Sequence, residues 1–471
     1  MSYQISRRDF LNKCAIGGLS LGATSFITSC ASARSENLAR TVSQKPNIVF
    51  IFADDWGWGD LGCHGNTWLS TPNLDRLASE GTEFYQFNVN NPVCSPSRTA
   101  VITGHFPARY CIHEHFGATV QDNQSRNMPD WLDPKAPMLP RLFKQAGYVT
   151  GHFGKWHLTN ARVTDAPLPT EYGYDESAVF NGPGVQVKVN DACDRAVDFI
   201  QRHHQKPFFI NLWVHETHTP HYPSEESMER FSNLDEQRQV YAAVVADGDK
   251  RIGKVLDVLR QLGLDNNTLV IFSSDNGPEV TGSPNNKKRG KGFQTYYSVG
   301  TTGGLRGRKR SLLEGGIRTP FFVRWPGVVP AGKINKTTEI TAVDMLATLC
   351  AAAAIPLPAG YKPDGENMLD AFKGNKTNRT KPVFFEWLGT HSGDNWPCLG
   401  VRFGKWKLLM SSDQSRIELY DIPRDREESI NLAPQNPEVV KDLIAMINEW
   451  KSQLPKGPSP DCMSTLRKEK L

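Results

Sequence analysis

Three short apolar runs, each broken off by polar residues, constrain this chain most. Pro46-Asn47-Ile48-Val49-Phe50-Ile51-Phe52 runs into Ala53-Asp54-Asp55. Phe208–Val214 runs into His215-Glu216-Thr217-His218, and Thr268–Ser274 into Asp275-Asn276-Gly277. Continuous β-branched and aromatic runs of this length read as strands buried on both faces. Helical patterns lie between them. Thr71-Pro72-Asn73 predicts a helix start, with Thr71 as N-cap, Pro72 at the first position and Gly81 as the stop. Residues 139–146 read as a second helix that Gly147 ends, before a strand over Tyr148–Phe153. Tyr241–Leu262 is amphipathic, with Val244, Val245, Ile252, Val255, Leu256, Leu259 and Leu262 on one side. Strands alternating with helices predict an α/β fold: a large, mainly parallel sheet sandwiched by helices. Such sheets place ligands at the carboxyl ends of their strands. Asp54/Asp55, His215/His218 and Asp275/Asn276 are therefore expected to converge.

At 471 residues the chain has room for two domains. The texture changes at Pro356, Pro358 and Gly360. Short strands follow at 382–387 and 399–410, with a turn at Gly404-Lys405, and Glu418–Asp421 is another. Pro437–Leu454 reads as a closing helix striped by Val440, Leu443, Ile447, Trp450 and Leu454. The expected division is a catalytic domain at 45–355 and a small α+β subdomain at 356–471, with an antiparallel sheet and a terminal helix. Residues 281–304 lack apolar periodicity and read as a long loop. It is either solvated surface or, through Lys287, Lys288, Arg289 and Lys291, a face for an anionic glycan.

Ser6-Arg7-Arg8-Asp9-Phe10-Leu11 is a twin-arginine pattern, followed by a soft apolar run from Ala15 to Ile27. Segment 1–33 is read as an export signal. Ile27-Thr28-Ser29-Cys30 fits a lipobox that would leave a lipid anchor on Cys30, and Ala31-Ser32-Ala33 fits ordinary cleavage. Either predicts a periplasmic or membrane-anchored enzyme. The formal charge is only +4, and removing Arg7, Arg8, Lys13 and Asp9 lowers it by two. That balance gives no support for nucleic-acid binding, which needs a concentrated basic face. No internal apolar run reaches the roughly 18 residues of a membrane span. The nine cysteines are scattered without a Cys-x2-Cys pair, which argues against zinc and leaves disulfide pairing open.

Asp54, Asp55, Asp275 and Asn276 offer only oxygen ligands. That set favours a hard cation, Ca²⁺ ahead of Mg²⁺, over zinc. Residues 94–104 read Cys-Ser-Pro-Ser-Arg-Thr-Ala-Val-Ile-Thr-Gly. A lone cysteine is usually an inert small hydrophobe. Here Pro96 suits the first turn of a helix and Gly104 its stop, which puts Cys94 where helix amides favour an anion. Three more segments carry chemistry: Gly151–Leu158, with Lys155 and His157; Val214–His221, with three histidines; and Leu305–Gly316, a basic run ending in Glu314-Gly315-Gly316.

Together these resemble the type I, formylglycine-dependent sulfatases of the alkaline phosphatase superfamily, arylsulfatases and carbohydrate sulfatases among them. Every fixed position of that family's Cys-x-Pro-Ser-Arg-x4-Thr-Gly signature is present, followed by its Gly-Lys-Trp-His element at 154–157. The C-terminal Leu-Tyr-Asp and Asn431-Leu432-Ala433 phrases resemble the family's smaller subdomain. The resemblance implies an alkaline phosphatase-like fold, and Cys94 oxidised to formylglycine (3-oxoalanine) by a maturation enzyme. It implies calcium on Asp54, Asp55, Asp275, Asn276 and residue 94. It gives Arg98 to the hydrated aldehyde, Lys155 and Lys309 to sulfate, His157 to the hydrate's proton, His218 to the leaving oxygen and Asp275 to the base role. His215, His221 and Arg306 are candidate substrate contacts; Arg308 and Arg310 read as ordinary solvated cations. Trp387, His391, Trp396 and His221 are candidates for a sugar subsite or plain core. The expected activity is hydrolysis of a sulfate ester, in the degradation of a sulfated polysaccharide. A phosphodiesterase or phosphonate monoester hydrolase of the same superfamily is the alternative enzyme. A non-catalytic sulfated-glycan binder is the alternative if Cys94 stays a thiol.

Overall fold

The protein is described by a computed structural model covering residues 45–279, 298–389 and 396–467. The export segment, Lys287, Lys288, Arg289, Lys291 and His391 lie outside the described residues. Eight strands form one sheet in the order β4-β3-β5-β1-β6-β7-β2-β8. They are β1 (Asn47–Ala53), β2 (Thr82–Asn88), β3 (Val149–Lys155), β4 (Glu176–Phe180), β5 (Phe208–Trp213), β6 (Thr268–Ser274), β7 (Phe322–Arg324) and β8 (Lys333–Thr341). β7 runs antiparallel to both neighbours, β6 and β2; the other ladders are parallel. The sheet is therefore mixed but mainly parallel, as the alternating pattern predicts. β1, β5 and β6 are buried along their whole lengths, which is why their sequences are continuously apolar. One face packs against the helices Ala192–His203 and Glu236–Gln261, the other against Cys94–Thr103, Leu139–Gln145 and Asp344–Ala352. Among the described residues no helix is long and apolar enough to cross a membrane.

Two local expectations need correction. Thr71 stands at the N-cap of the helix Pro72–Ser79, but its hydroxyl does not cap. It accepts from Gly62 N (2.8 Å) and donates to Asp75 (3.0 Å). The capping oxygens come from Asp249 on the long helix, which accepts from Asn73 N (3.1 Å) and Leu74 N (2.8 Å). Gly81 does not stop the helix either, since Glu80 ends it in ordinary helical conformation. Gly81 is needed for close approach: a Cβ there would stand 2.3 Å from the Val323 carbonyl of β7.

A second sheet, β12-β11-β10-β9, is antiparallel throughout: β9 (Val383–Glu386), β10 (Leu399–Phe403), β11 (Trp406–Met410) and β12 (Ile417–Asp421). Gly404 turns β10 into β11 at φ 59°. The helix Pro437–Ser452 lays Leu443, Ile447 and Trp450 against it. Buried charge ties this sheet to the first. Lys407 of β11, fully buried, sits 2.8 Å from both Glu314 and Glu428. Arg402 of β10 donates to Asn88 (2.8 Å) and to Gln86 of β2.

Glu314 is also paired with Arg318 (2.6 Å), so Glu428 is the carboxyl of the two left to take a proton. Burial, and then the Glu314 charge, push the Glu428 carboxyl up to about 7, against the pull of Lys407. A carboxyl raised in the fold contributes stability that is complete below its ordinary value of 4.5 and is lost as pH climbs through about 7. Glu428→Gln should therefore flatten the fall in unfolding free energy between pH 5 and 8, measured by urea titration at each pH.

Candidate active site

Four neighbouring strands, β3-β5-β1-β6, deliver the site at their carboxyl ends. Lys155 closes β3; His215 and His218 follow β5; Asp54 and Asp55 follow β1; Asp275 and Asn276 follow β6. The β1–β6 register pairs Ala53 with Ser274, so Asp54 and Asp275 leave the sheet side by side. Cys94 opens the helix Cys94–Thr103, with Pro96 in its first turn and Gly104 in the left-handed region at φ 68° as its stop. Every residue of that helix is buried.

The side chains form a closed charge array. Lys155 Nζ donates to both Asp54 oxygens (2.9 and 2.7 Å) and approaches Cys94 Sγ (3.2 Å). The Cys94 thiol lies 3.4 Å from Asp54. Arg98 pairs with Asp275 at 2.6 Å and Asp54 at 3.6 Å, with its guanidinium 4.8 Å from the centre of the Trp213 ring. Lys309 Nζ meets Asp55 at 2.7 Å. Three carboxylates thus face three cations, all of them buried. Burial lifts a carboxylate, but Lys155, His218 and His215 outweigh it and hold Asp54 well below its ordinary value. Asp275 is pushed up to about 7 by burial and then by Asp54, with Arg98 opposing. Burial, with Asp275 beside it, also pushes the Cys94 thiol well up. An unmodified Cys94 is therefore a poor thiolate nucleophile here.

The residues fit a hard cation. Asp54, Asp55, Cys94 and His218 bring ligand atoms within 4.8 Å of one another. Asn276 Nδ2 donates to Asp55 (2.7 Å) and to Gly277 O (2.8 Å), while its buried Oδ1 has no hydrogen-bond partner. A buried acceptor without a donor is costly. On a side chain that already meets Asp55, it is an oxygen that a divalent cation held by Asp54 and Asp55 would use.

Histidine roles follow from their second nitrogens. His157 Nε2 donates to Phe116 O (3.2 Å), leaving buried Nδ1 without a partner and free to accept a proton. His218 Nδ1 donates to Thr219 O, so the proton it exchanges is on Nε2, 3.8 Å from Asp55. His215 Nδ1 bonds Asp54, and burial pushes His215 down to about 4. It is neutral near pH 7, stacked on His218 with ring centres 4.5 Å apart.

Lys309 comes from a loop folded on close backbone contacts. Lys309 N donates to Pro278 O (3.2 Å), Gly315 N to Arg306 O (2.7 Å) and Gly277 N to Gly316 O (2.8 Å). A Cβ on Gly277 would stand 1.9 Å from Gly315 O, so Asn276-Gly277 and Gly315-Gly316 fit each other as backbone. Glu314 is not a ligand: it holds Arg318 (2.6 Å) and Lys407 (2.8 Å).

A cavity of about 420 Å³ opens over Cys94, Lys155, His157, His215, His218 and Lys309. Four candidate substrate contacts fall outside its lining. Arg306 turns to the C-terminal sheet, donating to Glu418 (3.2 Å), Tyr420 (2.9 Å) and Glu428 O (3.1 Å). His221 is fully buried against Tyr241. Trp387 is buried too, and donates to Glu114 (2.9 Å); Trp396 lies under Arg416. The cavity wall instead includes His115, Phe116, Asn160, Phe180, Asn181 and Arg310, which sequence reasoning missed. Phe180 and Asn181 end β4, so recognising that strand would have found them. His115 sits in a loop with no periodic signal. The seven described cysteines are free thiols.

The sulfatase family model matches residues 46–355, and the model for the C-terminal part of N-sulphoglucosamine sulphohydrolase matches 307–453. N-acetylgalactosamine-6-sulfatase of Canis lupus familiaris is 31% identical, over 77% of this chain and 71% of its own. N-acetylgalactosamine-6-O-sulfatase of Bacteroides thetaiotaomicron is 28% identical, over 87% and 94%. The crystal structure of Ps i-CgsB in complex with k-i-k-neocarrahexaose superposes with a TM-score of 0.74 at 26% identity, covering 90% of this chain and 96% of its own.

Breaking the buried pairs should be costly. Arg98→Met leaves Asp275 without its cation, and the expected loss is about 3–5 kcal/mol in unfolding free energy by urea denaturation.

Proposed function

The chain belongs to the sulfatase family, and from that premise we propose that it removes sulfate from a sulfated carbohydrate, using formylglycine at position 94 and a calcium ion. The observation that carries this reading is Asn276 Oδ1, a buried acceptor with no hydrogen-bond partner on a side chain whose Nδ2 meets Asp55 at 2.7 Å. An all-oxygen set of this kind suits Ca²⁺. The relatives named N-acetylgalactosamine-6-sulfatase, and the similar structure in complex with k-i-k-neocarrahexaose, support a sugar substrate. Oxidation of Cys94 by a maturation enzyme accords with its raised thiol pKa, since the thiol itself is a weak nucleophile. Export by the twin-arginine route, with a lipid anchor on Cys30, belongs to the same proposal.

When bound, the ion and the aldehyde hydrate would supply positive charge and an oxygen nucleophile that can later expel sulfate without a second attack by water. The chain's own residues do the rest. Lys155 and Lys309 bind the sulfate oxygens and meet the charge that grows on them in the transition state. Arg98 fixes Asp275 at 2.6 Å, beside residue 94, where its carboxylate can take a proton. His218 keeps its Nδ1 proton on Thr219 O, so it serves the departing alcohol only after Nε2 has taken up a second proton, which it then passes to that oxygen. His157 takes a proton at its unpartnered Nδ1 as sulfate leaves.

Sulfate release from 4-nitrophenyl sulfate and from sulfated sugars, after co-expression with a formylglycine-generating enzyme, tests the reading. Cys94→Ala should abolish turnover, and Lys309→Ala should lower kcat by about 10²–10³. Release from phosphate esters alone would overturn the proposal. Added Ca²⁺ should raise the melting temperature, reflecting about 2.7 kcal/mol at a hundredfold excess over Kd. Asn276→Ala should remove most of that rise.

A further inference from the structure

The cavity carries more cationic surface than one sulfate group uses. Among the described residues its lining holds Lys155, Lys309, Arg310 and four histidines, and no carboxylate. Lys155, Lys309, His157, His215 and His218 belong to the array around Cys94. His115 and Arg310 stand outside it, at the partly exposed mouth, and each is held in place by a buried acid.

Glu114 is 4% exposed. One of its oxygens accepts from both His115 N (2.9 Å) and His115 Nδ1, the other from Trp387 Nε1 (2.9 Å). Burial pushes this carboxyl up, but the His115 bonds outweigh it and pull it down to about 2. Arg126 fixes the same loop by donating to His115 O (2.7 Å). The imidazole ring is thus clamped through Nδ1; among the described residues Nε2 has no partner, and once protonated it can donate to an anion; the ring centre is 6.1 Å from that of His157. Burying a carboxylate to orient a half-exposed ring makes little sense for packing alone; it is the arrangement of a preorganised contact.

Arg310 shows the same construction. Glu279 accepts from its Nη1 through both oxygens (2.8 and 2.6 Å), and its backbone sits in the left-handed region at φ 71°. That conformation is costly for a residue with a Cβ and clusters at functional positions. His115 and Arg310 line the same cavity, so one ligand in it can meet both.

We propose that His115 and Arg310 form a second anion-binding position at the cleft mouth, so that the preferred substrate carries another acidic group beside the scissile sulfate. That group is a second sulfate or a uronate carboxylate, on the same or the adjoining sugar. Glu114 is a positioning residue that acts through His115. The proposal rests on the sulfatase reading above and refines its substrate class.

The test compares kcat/KM for three esters: a hexosamine 6-sulfate, its 4,6-disulfate, and a hexosamine 6-sulfate linked to a uronic acid. Expected for the wild type is a preference of about tenfold or more, roughly 1.4 kcal/mol, for at least one of the doubly acidic esters, carried mainly by KM. Raising salt should shrink it. Which ester is preferred separates sulfate from carboxylate as the second anion. His115→Gln and Arg310→Gln should each cut the preference severalfold, and His115→Arg should recover part of it. Glu114→Gln should cut it as well, with a shifted pH profile for the doubly acidic ester. Equal turnover of all three esters, or a preference that survives the His115→Gln/Arg310→Gln double variant, overturns this inference. Absence of sulfate release from every ester and from 4-nitrophenyl sulfate instead overturns the sulfatase reading.

Discussion

Everything at the catalytic end of the sheet depends on one electrostatic constraint: three carboxylates are buried together and must be neutralised. Asp54, Asp55 and Asp275 have no exposure to water. A single carboxylate removed from water costs far more than a fold of this size can spare unless it is paired. Arg98, Lys155 and Lys309 supply the pairing, each from a different part of the chain. Three cations against three anions leave the protein part of the site nearly neutral. A divalent ion added to that array makes it electropositive, which is what an anionic ester requires.

How much of this was legible in the sequence depends on where the signal resided. β1, β5 and β6 are buried on both faces, so their continuous apolar runs marked them, and their ends marked Asp54, Asp55, His215, His218, Asp275 and Asn276. β2 and β8 lacked such runs. Glu83, Gln86 and Asn88 of β2 are buried, but each is satisfied by a partner remote in sequence: His64, Arg402 and Glu314. A polar residue whose partner lies far along the chain looks like a surface residue until the fold is known. The same holds for Thr71, whose expected capping role is taken by Asp249, more than 170 residues away. Arg306 and Arg310 could not be told apart within one basic run. Only the backbone geometry of residues 305–316 sends the first toward β12 and the second to the cleft.

The mouth of the cleft belongs to two parts of the fold at once. His115 lies in a loop of the larger sheet's domain, while Trp387, just after β9, donates to the Glu114 that holds it. His113 in the same loop bonds Glu386 of β9 (2.9 Å). The smaller sheet therefore shapes the outer wall without entering the charge array beneath it. Substitutions around β9 can retune recognition there and leave Lys155 and Lys309 in place.

The interlock around Glu314 has a consequence for recombining such proteins. The C-terminal family model starts at 307, well upstream of the textural break near 356. Glu314 and the strand bearing Lys407 are complementary halves of one buried contact, and the loop between Arg306 and Gly316 is seated on it. A chimera joined at residue 356 would mate one parent's Glu314 with the other's lysine and misplace the loop. A junction just ahead of Leu305 would carry the whole interlock from a single parent, and with it the cation that meets Asp55.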